Sequence, residues 1–189
     1  MTTEEILREI KKELRANMNG IASTYMRENG LKYHVNFGIE LPRLRYIAAQ
    51  FEPSHKVAQS LWHENVRESK ILATMLMPVE RFFPEVCDIW LEQIPNAEIA
   101  QMAVFNLFAR LPYASDKAFE WMAAHEPLTQ LCGFLLITRL RLQGAELSPR
   151  ALDEFIDQAQ STLPTPDLAL RKAVQNAWVH IVGEDAPAG

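Results

Sequence analysis

The chain has 189 residues, of which 48% are hydrophobic and 23% are charged, as in an ordinary folded globular protein. Its formal net charge of −5 argues against a strongly basic protein that binds nucleic acid through clustered lysines and arginines. The charge is uneven, because residues 1–80 carry 11 lysines and arginines against 10 acidic residues, whereas residues 81–189 carry 8 against 14. Any surface for a polyanion is therefore expected in the first half.

The apolar segments of the chain are short. The longest, residues 131–138, falls far below the roughly 20 residues needed to cross a bilayer. The first residues, MTTEEILREIKKELR, are acidic and amphipathic, unlike a secretory signal. We therefore expect a cytoplasmic protein with no membrane partner. Cys87 and Cys132 lie within apolar helical patterns, which predicts buried free thiols rather than a disulfide or a metal site.

Helical periodicity dominates the first 80 residues, without a convincing alternating strand pattern. Thr3 is a candidate cap for the first helix, Gly30 for a left-handed helix end, and Ser54 for a later helix start. Helices are predicted over residues 3–17, 21–29, from 42 onward, 55–63 and 66–77. Residues 31–40 form the longest irregular stretch.

That irregular stretch leads into the segment NFGIELPRLRYIAAQF, residues 36–51. Glycine allows the backbone to turn where other residues are strained, and proline suits the first turn of a helix. Gly38 followed by Pro42 therefore predicts a tight entry into a helix, which carries Arg43 and Arg45 almost side by side.

Prolines recur at helix entries in the second half, where they replace backbone amides that need no partner. Helices are predicted over residues 85–94, 97–111, 116–125, 127–142, 148–160 and 166–183. About 10 or 11 helices joined by short turns, with a loose repeat of about 35–45 residues, indicate paired antiparallel helices. The expected fold is an all-α, HEAT-like helical-repeat solenoid (an α-α superhelix), as a single domain over residues 1–183 with a flexible tail at 184–189.

The usual signatures of catalysis are missing from the sequence. His63-Glu64 lacks the second histidine of a zinc-binding helix, because Arg67 stands at that position. The chain has no glycine-rich phosphate loop and no GxSxG motif, and its five histidines lack metal-ligand spacing. No metal and no cofactor are expected.

Three groups of residues remain as candidate sites. Arg43 and Arg45, with Tyr33 just before them, could hold phosphates while the aromatic ring stacks on a base or sugar. The structural alternative is that Tyr33 packs the loop and the arginines cap or pair with nearby glutamates. We favour the structural alternative, since isolated surface charges are common.

The second group lies in LWHENVRESKILA, residues 61–73, where Trp62 ends one helix and Arg67, Glu68 and Lys70 begin the next. A glutamate in a first turn is favoured by the helix dipole and can close the cap. Capping and close helix packing are therefore the favoured interpretation, and phosphate contacts by Arg67 and Lys70 are the alternative.

The third group is in RKAVQNAWVHIVG, residues 171–183, where Gln175, Asn176 and Trp178 interrupt an otherwise apolar helix. They would be polar contacts with an aromatic neighbour if they face a groove, and of little consequence if they face water. Lys172 would join Arg43, Arg45, Arg67 and Lys70 in binding DNA if all five lined one concave face. Trp90 and Trp121, at helical spacing among apolar residues, are expected in the core.

FGIELPRLRYIA and LWHENVRESKILATMLM resemble two segments of the DNA alkylation repair family, the HEAT-like-repeat DNA glycosylases, and LRKAVQNAWVHIVG is similar to the closing repeat of some members. The resemblance implies a curved all-α solenoid whose concave face cradles duplex DNA. It also implies that active relatives remove cationic N3- and N7-alkylated purines. They use tryptophans and a carboxylate, and both favour a cation forming on the sugar.

The resemblance places the family's catalytic aromatic and aspartate at Ala97 and Gln101, its groove arginine near Leu131 and its C-terminal groove tryptophan near Asn176. None of these positions holds the family's residue, and Glu98 is the carboxylate nearest to them in the sequence. We therefore expect weak or absent glycosylase activity, with Glu98 as the catalytic candidate. The DNA-binding candidates are Tyr33, Arg43, Arg45, Arg67, Lys70, Lys172, Asn176 and Trp178.

Three functions stay open at this point. The first is a DNA-binding relative of the glycosylases that recognises duplex or damaged DNA in a concave groove. The second is a helical scaffold that binds a protein or peptide partner, as solenoids commonly do. The third is an active glycosylase in which Glu98 or Asp88 supplies the carboxylate.

Overall fold

The computed structural model describes residues 1–183, so the predicted tail at 184–189 lies outside the described residues. Residues 1–183 form eleven α-helices and two short 3-10 turns, and contain no β-strand beyond one isolated bridge between Val35 and Val66. The all-α prediction is confirmed. None of these helices is long and apolar enough to cross a membrane.

The helices fall into two compact units, unit 1 at Met1–Phe82 and unit 2 from Phe83 onward. The prediction of a single domain over residues 1–183 stays a prediction. Unit 1 contains α1 Thr3–Ala16, α2 Gly20–Glu28, α3 Leu41–Ala48, α4 His55–His63 and α5 Arg67–Leu76. Unit 2 contains α6 Pro84–Glu92, α7 Ala97–Asn106, α8 Ala114–Met122, α9 Pro127–Leu142, α10 Pro149–Thr162 and α11 Leu168–Val182.

The predicted cap of the first helix and the predicted end of α7 are wrong. The first helix is capped by Thr2 rather than Thr3, because the Thr2 hydroxyl accepts a hydrogen bond from Glu5 N while the Glu5 carboxylate accepts one from Thr2 N. The helix α7 ends at Asn106, five residues before its predicted end, and a 3-10 turn over Phe108–Arg110 follows.

In unit 1, α5 packs against α3 and α4, and α1 packs against α4. The facing side chains are apolar and fully buried, among them Ile10, Leu14, Leu44, Leu61 and Trp62. Burying each such side chain contributes roughly 1.5–3 kcal/mol. Ile10 and Leu14, four residues apart on α1, therefore supply the apolar face with which this helix packs.

In unit 2, α9 is the central helix and packs against α7, α8 and α11. Aromatic rings fill the surrounding core, with Phe108 edge-on to Trp121 at 5.2 Å between ring centroids. Trp90 and Trp121 are buried, as predicted, and Cys87 and Cys132 are buried free thiols, also as predicted. Burial raises the pKa of Cys132 to about 12, so this thiol stays protonated.

Gly133 allows α8 and α9 to approach closely, since a Cβ there would lie 2.5 Å from the backbone nitrogen of Met122. We expect Gly133→Ala to lower the free energy of unfolding by about 1–3 kcal/mol, although alanine favours an isolated helix. Urea unfolding measures this loss. Gly20→Ala is the matched control, because an added Cβ there meets no described atom within 4 Å. Equal stabilities of the two variants would contradict the close approach.

Candidate nucleic-acid interface

Gly38 lies in a turn that packs against the start of α2. Its φ of +72° is in the left-handed region, and a Cβ would lie 2.2 Å from Asn19 O and 2.6 Å from Ser23 N. The neighbouring residues also bind α2, because Asn19 N donates to Phe37 O at 2.8 Å and Ser23 Oγ donates to Asn36 O at 2.8 Å. Only glycine fits this position, which accounts for the tight entry predicted from the sequence.

The carboxylate of Glu68 holds the two residues that flank Gly38. This residue is 0% exposed and accepts hydrogen bonds from Phe37 N at 3.1 Å and Ile39 N at 3.2 Å. Arg67 Nη1 donates to Glu68 Oε1 at 3.0 Å and to Ile39 O at 2.9 Å. We call this group the Glu68 clamp. The prediction that Glu68 closes a helix cap is wrong, since α5 has no side-chain cap hydrogen bond.

The Glu68 clamp also encloses Arg67, which is only 4% exposed. A phosphate contact needs a guanidinium that DNA can reach, and this one is enclosed. Lys70 is half-buried, its Nζ donates to Trp62 O at 2.7 Å, and it lies 4.6 Å from the centre of the Trp62 ring. Burial lowers the pKa of Lys70. Both residues hold unit 1 together, so we leave them out of the proposed DNA surface.

Arg43 and Arg45 are both exposed on α3, and Tyr33 is half-buried. Arg43 Nε donates to Asn17 Oδ1 at 2.8 Å, and Nη2 lies 3.6 Å from Glu13 Oε2. The Arg43 side chain therefore contacts α1. Arg45 remains an exposed cation on the surface of unit 1.

We expect Glu68→Ala to lower the free energy of unfolding by about 3–5 kcal/mol, because it leaves two backbone amides without their acceptor and removes the carboxylate paired with the buried Arg67 guanidinium. Urea unfolding followed by circular dichroism measures the loss. Glu40→Ala is the matched control, since Glu40 is exposed and its side chain makes no cap hydrogen bond. It should change stability by no more than about 0.5 kcal/mol. Similar losses of unfolding free energy in both variants would show that the Glu68 clamp contributes little to the stability of the protein.

An open cavity of about 460 Å³ in unit 2 is the strongest candidate site, and we call it the α7–α9–α11 cavity. Three helices line it because α9 packs between α7 and α11. Residues four apart share a helix face, as do Leu131 and Leu135 on α9 and Lys172 and Asn176 on α11. The lining residues are Gln101, Leu131, Leu135, Leu168, Ala169, Lys172, Ala173 and Asn176.

This cavity brings together the positions that the resemblance assigned to the family's aspartate, arginine and tryptophan, namely Gln101, Leu131 and Asn176. Lys172 and Asn176 are exposed within it, as the groove interpretation of their helix requires. Trp178 differs, because it is 5% exposed and its ring lies 6.3 Å from that of Phe155. It belongs to the core of unit 2 and does not line the cavity.

The described lining of the cavity carries one cation, two amides and five apolar residues, and no carboxylate. Glu98 is half-buried in the first turn of α7 and is outside that lining. Asp88 is held by an ion pair, with Lys117 Nζ at 2.7 Å from its Oδ1. Burial alone would lower the pKa of Lys117, but its hydrogen bonds to Asp88 and Glu120 outweigh burial and raise it.

Sequence analysis overlooked two residues on the helices that line this cavity. Phe105 lies four residues beyond Gln101 on α7, and Arg139 lies four residues beyond Leu135 on α9. The Arg139 guanidinium lies over the Phe105 ring, 5.7 Å from its centroid. The spacing of four was visible in the sequence, but the pairing of α7 with α9 was not.

The two units are built from paired α-helices, and the fold is that of the HEAT-like repeat proteins. A model of the DNA alkylation repair enzyme family matches residues 10–184, so the chain belongs to that family. The resemblance inferred from the sequence is confirmed.

A solved structure supports the fold assignment. It comes from a new family of proteins related to the HEAT-like repeat DNA glycosylases with affinity for branched DNA structures. The two chains superpose with a TM-score of 0.82 over 92% of this chain and 74% of the other, at 15% identity. At that identity the likeness shows the fold alone. A search of curated proteins gives no match.

Proposed function

We propose that this protein binds DNA along the α7–α9–α11 cavity of unit 2 and has weak or no glycosylase activity. The observation that carries the proposal is the convergence of Gln101, Leu131, Lys172 and Asn176 on one open cavity. Family membership directs attention to this cavity, because the resemblance assigns three of these four positions to catalysis or to the groove.

The chemistry of the lining suits nucleic acid. Lys172 supplies a positive charge for a phosphate, and the amides of Gln101 and Asn176 can each donate and accept at a sugar or a base edge. The apolar floor, with Leu131 and Leu135, suits the flat face of a sugar or base. Because the chain is acidic overall, binding should be modest and should weaken with salt.

Weak or absent glycosylase activity follows from the same lining. Breaking the bond between a base and its sugar develops positive charge on the sugar, and a carboxylate beside that sugar stabilises the charge. Gln101 offers a neutral amide at the assigned position, and none of the other described lining residues carries a negative charge. The structural neighbour's affinity for branched DNA makes branched DNA a natural ligand to test beside duplex DNA.

The DNA-binding proposal predicts that Lys172→Ala weakens binding to duplex and branched DNA alike. It should also reduce the slope of log Kd against log salt concentration by about 1, because one phosphate contact is lost. Fluorescence anisotropy at several salt concentrations measures both quantities. Arg150→Ala is the matched control, since Arg150 is exposed in unit 2 but outside the cavity lining. An unchanged slope for Lys172→Ala would remove this lysine from the DNA surface.

Catalysis is tested with a duplex that contains one N7-methylated guanine, followed for hours at low and moderate salt. We expect binding without release of the base above the level in buffer. Release that Glu98→Gln abolishes would instead establish an active glycosylase with Glu98 as its carboxylate.

Absence of DNA binding at low salt would favour the second candidate function, a scaffold for a protein or peptide partner. The excess of acidic residues and the exposed Leu168 in the cavity lining favour that alternative.

A further inference from the structure

Phe105 is an exposed aromatic residue on α7, one of the helices that line the α7–α9–α11 cavity. It is 42% exposed and lies on the same face of α7 as Gln101, about 6 Å further along the helix at 1.5 Å per residue. A single exposed apolar side chain needs no special explanation. What distinguishes Phe105 is its partner, Arg139.

Arg139 places a positive charge beside the exposed ring. Its guanidinium lies over the Phe105 ring, an arrangement in which the ring quadrupole attracts the cation. Arg139 is half-buried, so the pair combines a cation with an aromatic ring that is partly open to a ligand.

An exposed aromatic ring next to a cation is the arrangement with which proteins hold single-stranded nucleic acid, where bases stack on rings and cations attract the backbone. A base within a duplex is stacked on both sides by its neighbours and cannot reach such a ring. An unpaired base at a bulge, fork or frayed end can reach it. The 6 Å between Gln101 and Phe105 corresponds to one or two nucleotides, at about 3.4 Å of rise per nucleotide.

We propose that Phe105 and Arg139 form a stacking platform for an unpaired nucleobase of DNA bound along the α7–α9–α11 cavity. This inference rests on the proposed function and adds the structural class of DNA that the site prefers. Phe105 contacts the base through its exposed ring, while Arg139 holds the ring and attracts the adjacent phosphate. The protein therefore selects DNA that carries an unpaired base over a fully paired duplex.

The test compares a fully paired duplex with the same duplex carrying one bulged nucleotide, at fixed salt. Phe105→Ala should weaken binding to the bulged duplex about tenfold and leave binding to the paired duplex unchanged within about twofold. Phe105→Tyr should retain the preference. Phe83→Ala is the matched control, because Phe83 is 59% exposed in the same unit but lies at the start of α6, outside the cavity lining.

A second readout is independent of affinity. A 5-iodouracil placed at the bulged position should form a photochemical cross-link to Phe105 in the wild-type protein, located by mass spectrometry of the tryptic peptides. Phe105→Leu keeps an apolar side chain on α7 without an aromatic ring, so it should lose both this cross-link and the preference for the bulge. If Phe105→Ala unfolds, Phe105→Leu decides the question.

The outcomes distinguish failure of the stacking platform from failure of the proposed function. Loss of affinity that is equal for both DNAs, or a preference for the bulge that persists in Phe105→Leu, would overturn the stacking platform while leaving DNA binding intact. A wild-type protein that binds neither DNA at low salt would overturn the proposed function and the platform together.

Discussion

The buried carboxylate of Glu68 is the interaction on which the structure of unit 1 depends. It accepts hydrogen bonds from two backbone amides of the 37–39 segment and from the Arg67 guanidinium. These bonds join the start of α5 to the segment before α3. The same turn packs on α2 through Gly38, where no Cβ can be accommodated. One charged group thus connects α2, α3 and α5, and it is stable only because every partner is in place.

The Glu68 clamp also explains why the family is visible in the sequence while the activity is not. The two segments that carry the resemblance, FGIELPRLRYIA and LWHENVRESKILATMLM, contain the two sides of this contact. They specify a scaffold, because a left-handed glycine and a buried ion pair tolerate few substitutes. The positions to which the resemblance assigns chemistry, Gln101, Leu131 and Asn176, lie in unit 2 and line one cavity there.

The same residue types thus serve structure in one unit and a candidate interface in the other. Arg67 and Lys70 are held by protein atoms in unit 1, whereas Lys172 is exposed in a cavity of unit 2. Counting charges placed the polyanion surface in the first half of the chain, yet the cavity that we propose for DNA lies in the more acidic second half. Net charge governs long-range attraction, whereas a binding site is formed by a few side chains that the ligand can reach.

The sequence by itself determined the approximate positions of the helices, because periodicity, prolines and caps act over three or four residues. Gly38 was also predictable, as the need for a turn is local. Only the tertiary structure decided three other points. Arg67 is enclosed by protein, Trp178 lies in the core, and the Arg139 guanidinium lies over the Phe105 ring. Each depends on how one helix packs against another many residues away, and side-chain chemistry alone does not reveal which face a neighbouring helix covers.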